Sequence, residues 1–305
     1  MHFIWLFLKG IAMGSADVVP GVSGGTIAFV TGIYDELLGS IRRVDLQALR
    51  LLFKQGPLAA WRYINGTFLL VLGSGILTAL FSLAKGIHYL LMHYPVWLWA
   101  FFFGLIVASV IHVGREIHQW TPAKGILLLL GAVIAGYIST AAPTSIEPNH
   151  LIILLAGSVA ICAMILPGIS GSFILLLMGL YEPILAALKS LDLVTIGLFG
   201  IGAVVGLMSF SRFLSWLLKD WKEATFAVLT GFMVGSLLKV WPWKDTLTTR
   251  IDSKGETVPV YQTNILPDAG TDLWLAILLM VAGFVLVIGL EWVARRQPQP
   301  ALQGE

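Results

Sequence analysis

The chain has 305 residues, of which 57% are hydrophobic and only 12% are charged. Because soluble globular proteins carry about 25% charged residues, this composition excludes an ordinary soluble fold. The 19 Lys and Arg residues nearly balance the 17 Asp and Glu residues, and a net charge of +2 without any basic run excludes a nucleic-acid partner.

The apolar residues form blocks separated by short polar stretches, which predicts an all-α polytopic membrane protein. A hydrocarbon core of about 30 Å takes about 20 apolar residues per crossing helix. The first residues, up to Lys9, lack a basic leader and a small-residue cleavage site, so we expect them to be part of the fold. Cys162 is the single cysteine, and no Cys/His cluster has metal-ligand spacing, so we expect no disulfide, metal or cofactor.

The first two apolar blocks, Phe3–Gly14 and Thr26–Tyr34, flank a Pro-Gly string and are too short to cross a membrane. At about 1.5 Å per residue they reach only about 18 and about 14 Å. We interpret residues 1–40 as a re-entrant hairpin, whose irregular backbone is tolerated only where protein or water satisfies it. A polar cytoplasmic segment, 42–66, and three crossing helices, Thr67–Leu91, Val96–Val113 and Gly125–Ala141, are predicted to follow.

An internal repeat divides the chain into two halves, 1–145 and 146–305. The string Pro20–Gly25 returns as Pro167–Ser172, at an offset of 147, and later pairs such as Val113 and Val240 match at an offset of 127. The second half is predicted to contain a re-entrant hairpin over 150–189, with helices His150–Leu166 and Phe173–Tyr181. Crossing helices Leu193–Leu218, Ala224–Val240 and Leu273–Val293 are predicted to follow, with a periplasmic segment, 241–272, that has room for a short hairpin.

A re-entrant hairpin does not cross the membrane, so each half crosses three times and the second half is inserted upside down. If each hairpin were one broken crossing helix, four crossings would make the repeats parallel. Positive charge favours the inverted repeat, with both termini cytoplasmic in a bacterial inner membrane. The predicted cytoplasmic loops then contain Arg42, Arg43, Arg50, Lys54, Arg62, Arg115, Lys124, Arg212, Lys219, Lys222, Arg295 and Arg296.

The two Pro-Gly strings are the candidate binding site. Glycines let the backbone approach a ligand closely, and unpaired amides at a helix start attract an anion such as a phosphate. Serine and threonine hydroxyls add donors. The alternative is that small residues only let helices pack tightly. The predicted binding residues are Pro20, Gly21, Ser23, Gly24, Gly25, Thr26, Pro167, Gly168, Ser170, Gly171 and Ser172.

Asp17 is a carboxylate deep in the predicted membrane, where ionisation is expensive. We expect it to couple transport to a proton or cation, and the alternative is that it caps backbone amides. Its counterpart in the second half is Met164. Glu182, Arg115 and Arg212 are further charge candidates, although helix-end arginines also serve as lipid anchors.

An intramembrane serine hydrolase is an alternative reading, because residues 21–25 fit Gly-x-Ser-x-Gly. Such a serine needs a base, and His112 is the only histidine well placed on a predicted crossing helix. The duplication argues against catalysis, since one active site needs one nucleophile, whereas alternating access uses two related gates.

The strings Ala16–Thr26 and Leu166–Ser172 resemble the signature of the bacterial polyprenyl-phosphate translocase family of the PopT type, along nearly the whole chain. The resemblance implies a transporter, not an enzyme, that returns undecaprenyl phosphate from the periplasmic to the cytoplasmic leaflet for peptidoglycan synthesis. It makes polyprenyl phosphate and membrane lipids the expected partners. A homodimer and proton or sodium coupling are also expected, by analogy with other membrane carriers. A carrier of a small soluble anion and a structural scaffold are the alternatives.

Overall fold

The structure is a computed structural model that describes residues 2–19, 21–144, 146–251, 257–267 and 270–296. Within these residues the chain forms 15 α-helices and one two-stranded sheet. The first half contains α1 His2–Val18, α2 Gly24–Val30, α3 Tyr34–Arg42, α4 Leu46–Gln55, α5 Pro57–Tyr63, α6 Gly66–Ser82, α7 Ala84–His93, α8 Pro95–Arg115 and α9 Pro122–Thr140. The second half contains α10 His150–Ile165, α11 Gly171–Leu177, α12 Tyr181–Ser190, α13 Leu193–Asp220, α14 Lys222–Val240, β1 Lys244–Ile251, β2 Thr257–Asn264 and α15 Thr271–Arg296.

Five of the described helices, α8, α9, α13, α14 and α15, are long and apolar enough to cross a membrane, as predicted. Helices α8 and α14 are central, because 50% and 56% of their apolar stretches are buried, against 11–17% for the other three. The predicted crossing helix Thr67–Leu91 is wrong as one element, since the structure divides it into α6 and α7 at Leu83. Lys85, His88 and His93 make α7 amphipathic, which explains why the apolar crossing segment ends before it.

The predicted short helices on either side of each Pro-Gly string are present, with different ends. Helix α1 continues to Val18, beyond the expected end at Gly14. Helices α2 and α11 each stop after seven residues, because Gly32 and Gly179 take left-handed φ angles of 71° and 72° that end a helix. The chain then turns sharply, by 107° between α11 and α12.

The second hairpin begins and ends on the same side of the molecule. The Thr144 amide donates to the Leu177 carbonyl at 2.7 Å, and the Ile146 amide donates to the Met178 carbonyl at 3.2 Å. These bonds join the chain just before α10 to the end of α11. In the first hairpin, Lys9 Nζ of α1 donates to the Thr31 carbonyl after α2 at 2.8 Å.

Close backbone contacts recur at the sequence offsets of the repeat. Helices α1 and α6 touch where a Cβ on Gly10 would meet the Leu72 carbonyl oxygen, and α10 and α13 touch at the equivalent Gly157 and Phe199. Contacts between the halves interlock them, because α9 of the first half packs on α14 of the second, and α15 of the second half packs on α8 of the first. Equivalent glycine contacts join them: Gly131 with Val228, and Gly283 with Phe101.

A β-hairpin occupies part of the predicted periplasmic segment, and the regular elements of the described residues are otherwise helices. Strands β1 and β2 pair antiparallel, with Lys244 opposite Asn264. Asn264 Nδ2 donates to the Leu238 carbonyl of α14 at 2.8 Å, and Trp241 Nε1 donates to the Ile265 carbonyl at 2.9 Å. The β-hairpin, the last residues of α9 and α14, and the first residues of α8 lie at one end of the molecule. We call this end, after the β-hairpin, the hairpin face.

Candidate functional site

The two Pro-Gly strings form loops between short helices, which we call the first tip, residues 19–23, and the second tip, residues 166–170. Gly21 and Gly168 hold left-handed φ angles of 90° and 85°, which only glycine adopts without strain. The same turn follows in both, since the Val22 amide donates to the Val19 carbonyl and the Ile169 amide to the Leu166 carbonyl. The Pro20 prediction falls outside the described residues.

Side-chain hydrogen bonds join the two tips. Ser23 Oγ donates to the Met164 carbonyl at 2.9 Å, and the Gly168 amide donates to Thr26 Oγ1 at 3.1 Å. The Tyr34 hydroxyl adds a bond to the Ile165 carbonyl at 3.0 Å. These side chains are buried, so the tips meet inside the protein and not at its surface.

The first amides of α2, directly after the first tip, already have partners, which differs from the predicted open anion site. The Gly24 amide donates to Asp17 Oδ1 at 2.7 Å, and the Gly25 amide donates to Ser23 Oγ at 3.0 Å. The Thr26 amide donates to the Ser23 carbonyl at 3.0 Å. Asp17 therefore caps backbone amides, as the alternative interpretation of this residue expected, and its carboxylate lies where a bound anion would otherwise lie.

The second tip has a different polar arrangement. Met164 replaces the carboxylate, and Ser170 Oγ lies 3.0 Å from Ser172 Oγ instead of accepting a bond from an α11 amide. Gly171 packs closely, because a Cβ there would collide with the Ala160 carbonyl oxygen. The two tips thus share a backbone conformation but not a charge.

Lys239 of α14 reaches the first tip and α11, the helix that follows the second tip, and it was not among the binding residues predicted from the sequence. A Cβ on Gly21 would lie 2.5 Å from Lys239 Cγ, and Lys239 Nζ lies 4.0 Å from the ring centre of Phe173 in α11. Its neighbour Lys244 lies 3.9 Å from the ring centre of Trp99. The available signal was a pair of lysines at the predicted outer end of an apolar helix, where the positive-inside rule expects few.

The remaining charge candidates lie on helix ends and faces. Arg115 and Arg212 are exposed, and Arg212 donates to the Met208 carbonyl of its own helix at 2.8 Å. Glu182 is partly buried in the first turn of α12. The exposed positions of the two arginines fit lipid anchoring better than a role at the tips.

The structure gives the serine-hydrolase alternative no support. The Ser23 hydroxyl donates to a backbone carbonyl, not to a base. His112 Nδ1 instead lies 3.1 Å from Glu291 Oε2, close enough for an ion pair but without hydrogen-bond geometry. This pair joins α8 to α15.

An apolar groove of about 590 Å³ begins beside the second tip. It lies between α13 and α14. Leu166 of the second tip lines it, and Trp216 and Trp221 line it where α13 ends and α14 begins. Thr225 is the one residue with a polar side-chain oxygen among the described lining residues. The lining residues are Leu127, Leu166, Phe210, Phe213, Leu214, Trp216, Leu217, Trp221, Ala224, Thr225, Val228, Leu229 and Phe232.

The chain is similar to known proteins along most of its length. Residues 13–258 match a family model described as undecaprenyl phosphate translocase-like. A polyprenyl-phosphate transporter of Vibrio cholerae is 49% identical over 303 residues, covering 97% of this chain and 98% of that protein. A polyprenyl-phosphate transporter of Staphylococcus aureus is 34% identical over 260 residues, covering 79% of this chain and 87% of that protein. No solved structure matches the chain.

Proposed function

Because the chain belongs to the undecaprenyl phosphate translocase-like family, we propose that it moves a polyprenyl phosphate between the leaflets of a bacterial inner membrane. The relatives from V. cholerae and S. aureus are both named as polyprenyl-phosphate transporters. The observation that carries the proposal is the apolar groove that begins at Leu166, beside the two joined tips. A polar centre next to an apolar groove matches a lipid with a phosphate head.

The phosphate head needs a polar path, because a charge in hydrocarbon costs many kcal/mol when it is unpaired. In our proposal the serine and threonine hydroxyls and glycine amides of the two tips exchange their present partners for the phosphate. Residues 20–26 and 167–172 supply these donors. The isoprenoid tail stays outside the polar path and lies along the groove between α13 and α14.

Alternating access between two related halves is the proposed mechanism. Halves 1–145 and 146–305 would be inverted repeats, each with a re-entrant hairpin and three crossing helices, and the tips would meet near the midplane. The recurring contacts of Gly10 with Leu72 and of Gly157 with Phe199 support equivalent packing in the halves. Rocking one half against the other would expose the tips to each face in turn.

The direction follows from where the lipid is used. We propose that the β-hairpin is periplasmic, that both termini are cytoplasmic, and that the carrier returns to the inner leaflet for peptidoglycan synthesis. Consumption of the carrier in the cytoplasm, or a proton or sodium gradient acting through Asp17, would drive this direction. A homodimer is the proposed assembly.

The test is reconstitution of the full chain into vesicles with a polyprenyl phosphate, followed by addition of a phosphatase outside. We expect the protein to move polyprenyl phosphate between the inner leaflet, which the phosphatase cannot reach, and the exposed outer leaflet. The double variant Ser23→Ala, Ser170→Ala should slow exchange, whereas Ser190→Ala, at the exposed end of α12, should not. Uptake of inorganic phosphate without lipid exchange would favour the soluble-anion carrier. A protein that transports neither the lipid nor inorganic phosphate would favour the structural scaffold.

A further inference from the structure

A polar pocket of about 170 Å³ opens at the hairpin face, apart from the tips and the apolar groove. The ends of α9 and α14 form one wall and strand β2 forms the other. Eight of its lining residues carry hydroxyl, amide or ammonium donors suited to an oxyanion: Ser139, Thr140, Lys239, Lys244, Tyr261, Gln262, Thr263 and Asn264.

The pocket concentrates positive charge without a matching acid. Lys239 and Lys244 are both partly buried, and among the described residues no carboxylate forms an ion pair with either. Burial, followed by the charge of Lys239, lowers the pKa of Lys244. Two neighbouring cations away from water are unfavourable together, and a bound anion would remove that cost.

Aromatic rings contact both ammonium groups, and Lys244 Nζ also donates a hydrogen bond to the Lys239 carbonyl. Lys239 Nζ lies over Phe173 and Lys244 Nζ lies over Trp99, at 4.0 and 3.9 Å from the ring centres. Such contacts position a cation without supplying a negative charge. Because Phe173 belongs to α11 and Lys239 Cγ packs against Gly21, Lys239 connects the pocket to the first tip and to the helix after the second tip.

The equivalent position in the other half is built differently. At the offset of 127, Lys239 corresponds to His112. The contacts of Gly131 with Val228 and of Gly283 with Phe101 relate α9 to α15 at an offset of 152, so Ser139 corresponds to Glu291. His112 lies 3.1 Å from Glu291. In the pocket of Lys239, the residue equivalent to Glu291 is Ser139, which has no charge. The chain supplies its own carboxylate at one site and leaves it out at the other.

We propose that this two-lysine pocket binds the phosphate monoester of the lipid, with Lys239 and Lys244 as its cationic ligands, before the phosphate moves to the tips. This inference rests on the proposed function for the source of the phosphate. A free phosphate ion has the same chemistry, so the experiment compares the two. The Glu291 carboxylate at the equivalent position would repel an anion and favour its release there.

The experiment measures binding of farnesyl phosphate, farnesol and inorganic phosphate to the full chain in detergent. We expect Lys244→Gln and Lys239→Gln to weaken farnesyl phosphate binding roughly 10- to 100-fold, as loss of a charge-assisted bond implies. Lys244→Arg should retain most of the affinity, because it keeps the charge. Lys85→Gln, an exposed lysine on α7, is the matched control and should bind normally.

Two results would overturn the pocket assignment: unchanged farnesyl phosphate affinity in both glutamine variants, or farnesol binding as tightly as farnesyl phosphate. The vesicle exchange assay separates this assignment from the proposed function. Normal lipid exchange by both glutamine variants would reject the pocket and leave the function standing. Lysine-dependent binding of inorganic phosphate, without any lipid exchange by the wild type, would reject the lipid as the source.

Discussion

The hydroxyl group of Ser23 donates a hydrogen bond to the backbone carbonyl of Met164, 141 positions later in the chain. Met164 occupies, in the second half, the position that Asp17 has in the first. A side chain of one tip is therefore bound to the base of the other, and a movement of either hairpin must break or carry this bond.

Ser23→Ala should lower stability more than Ser170→Ala. The first change removes the donor to Met164 and leaves the buried Gly25 amide without its acceptor, which costs about 1–3 kcal/mol. Ser170 Oγ bonds only to Ser172 Oγ among the described residues, so its loss should cost less. Thermal unfolding in detergent measures the difference, with Ser190→Ala as the control. Equal midpoints for the two tip variants would contradict the asymmetry.

Alanine at either left-handed glycine should destabilise the tips. Gly21→Ala and Gly168→Ala each impose a φ angle that costs an L-residue about 1–2 kcal/mol. Gly168→Ala should be the worse change, because its Cβ would lie 2.9–3.0 Å from backbone atoms of Phe232 and Met233, whereas Gly21 faces the flexible Lys239 side chain. Gly39→Ala in α3 meets no atom within 4 Å and serves as the control. The yield of monodisperse protein and its unfolding midpoint give the ranking.

Asp17→Asn should keep the fold and remove gradient dependence. The asparagine side chain still offers an oxygen to the Gly24 amide, so the cap survives without the charge. If Asp17 couples transport to protons or another cation, lipid exchange in vesicles should no longer respond to an imposed gradient. Asp17→Ala, which loses the cap as well, separates the structural effect. A wild-type response to the gradient in Asp17→Asn would reject coupling through this carboxylate.

Glu291→Gln should destabilise the protein more than Glu223→Gln. The side chains of His112 and Glu291 are only 13% and 9% exposed, and loss of a partner for a buried polar group costs about 1–3 kcal/mol. Glu223, which pairs with Lys124 between α9 and α14, has a side chain that is 32% exposed, and such pairs contribute about 1 kcal/mol or less. Thermal unfolding compares the variants directly. A larger loss for Glu223→Gln would show that the pair between α8 and α15 carries little stability.

Filling the apolar groove should affect long lipids selectively. Ala224→Trp places a bulky ring among the groove residues and should weaken binding of a long polyprenyl phosphate more than that of farnesyl phosphate. Leu278→Trp, at a 63% exposed position on α15 outside the groove, is the control. Competition between the two lipids in detergent measures the change. Equal weakening of both lipids would argue that the tail does not lie along this groove.

Much of the architecture was predictable because it depends on local composition. Apolar blocks of about 20 residues need a membrane, and the structure has α8, α9, α13, α14 and α15 at five of the six positions where crossing helices were expected. The duplicated glycines likewise predicted matching loops, since a left-handed φ angle is a property of a single residue. The break at Leu83 was not predictable from hydropathy, because the apolar run continues past it into the amphipathic helix α7.

The sequence alone determined the membrane class, the two halves and the two tips, because each follows from residue type and spacing. Only the tertiary structure decided what these residues touch. It turned Asp17 toward the Gly24 amide, joined Ser23 to Met164, and set Lys239 against Gly21 of the first tip and Phe173 of α11. Such contacts link positions 7 to about 220 residues apart, and their charge balance depends on distances in space, which spacing along the chain does not specify.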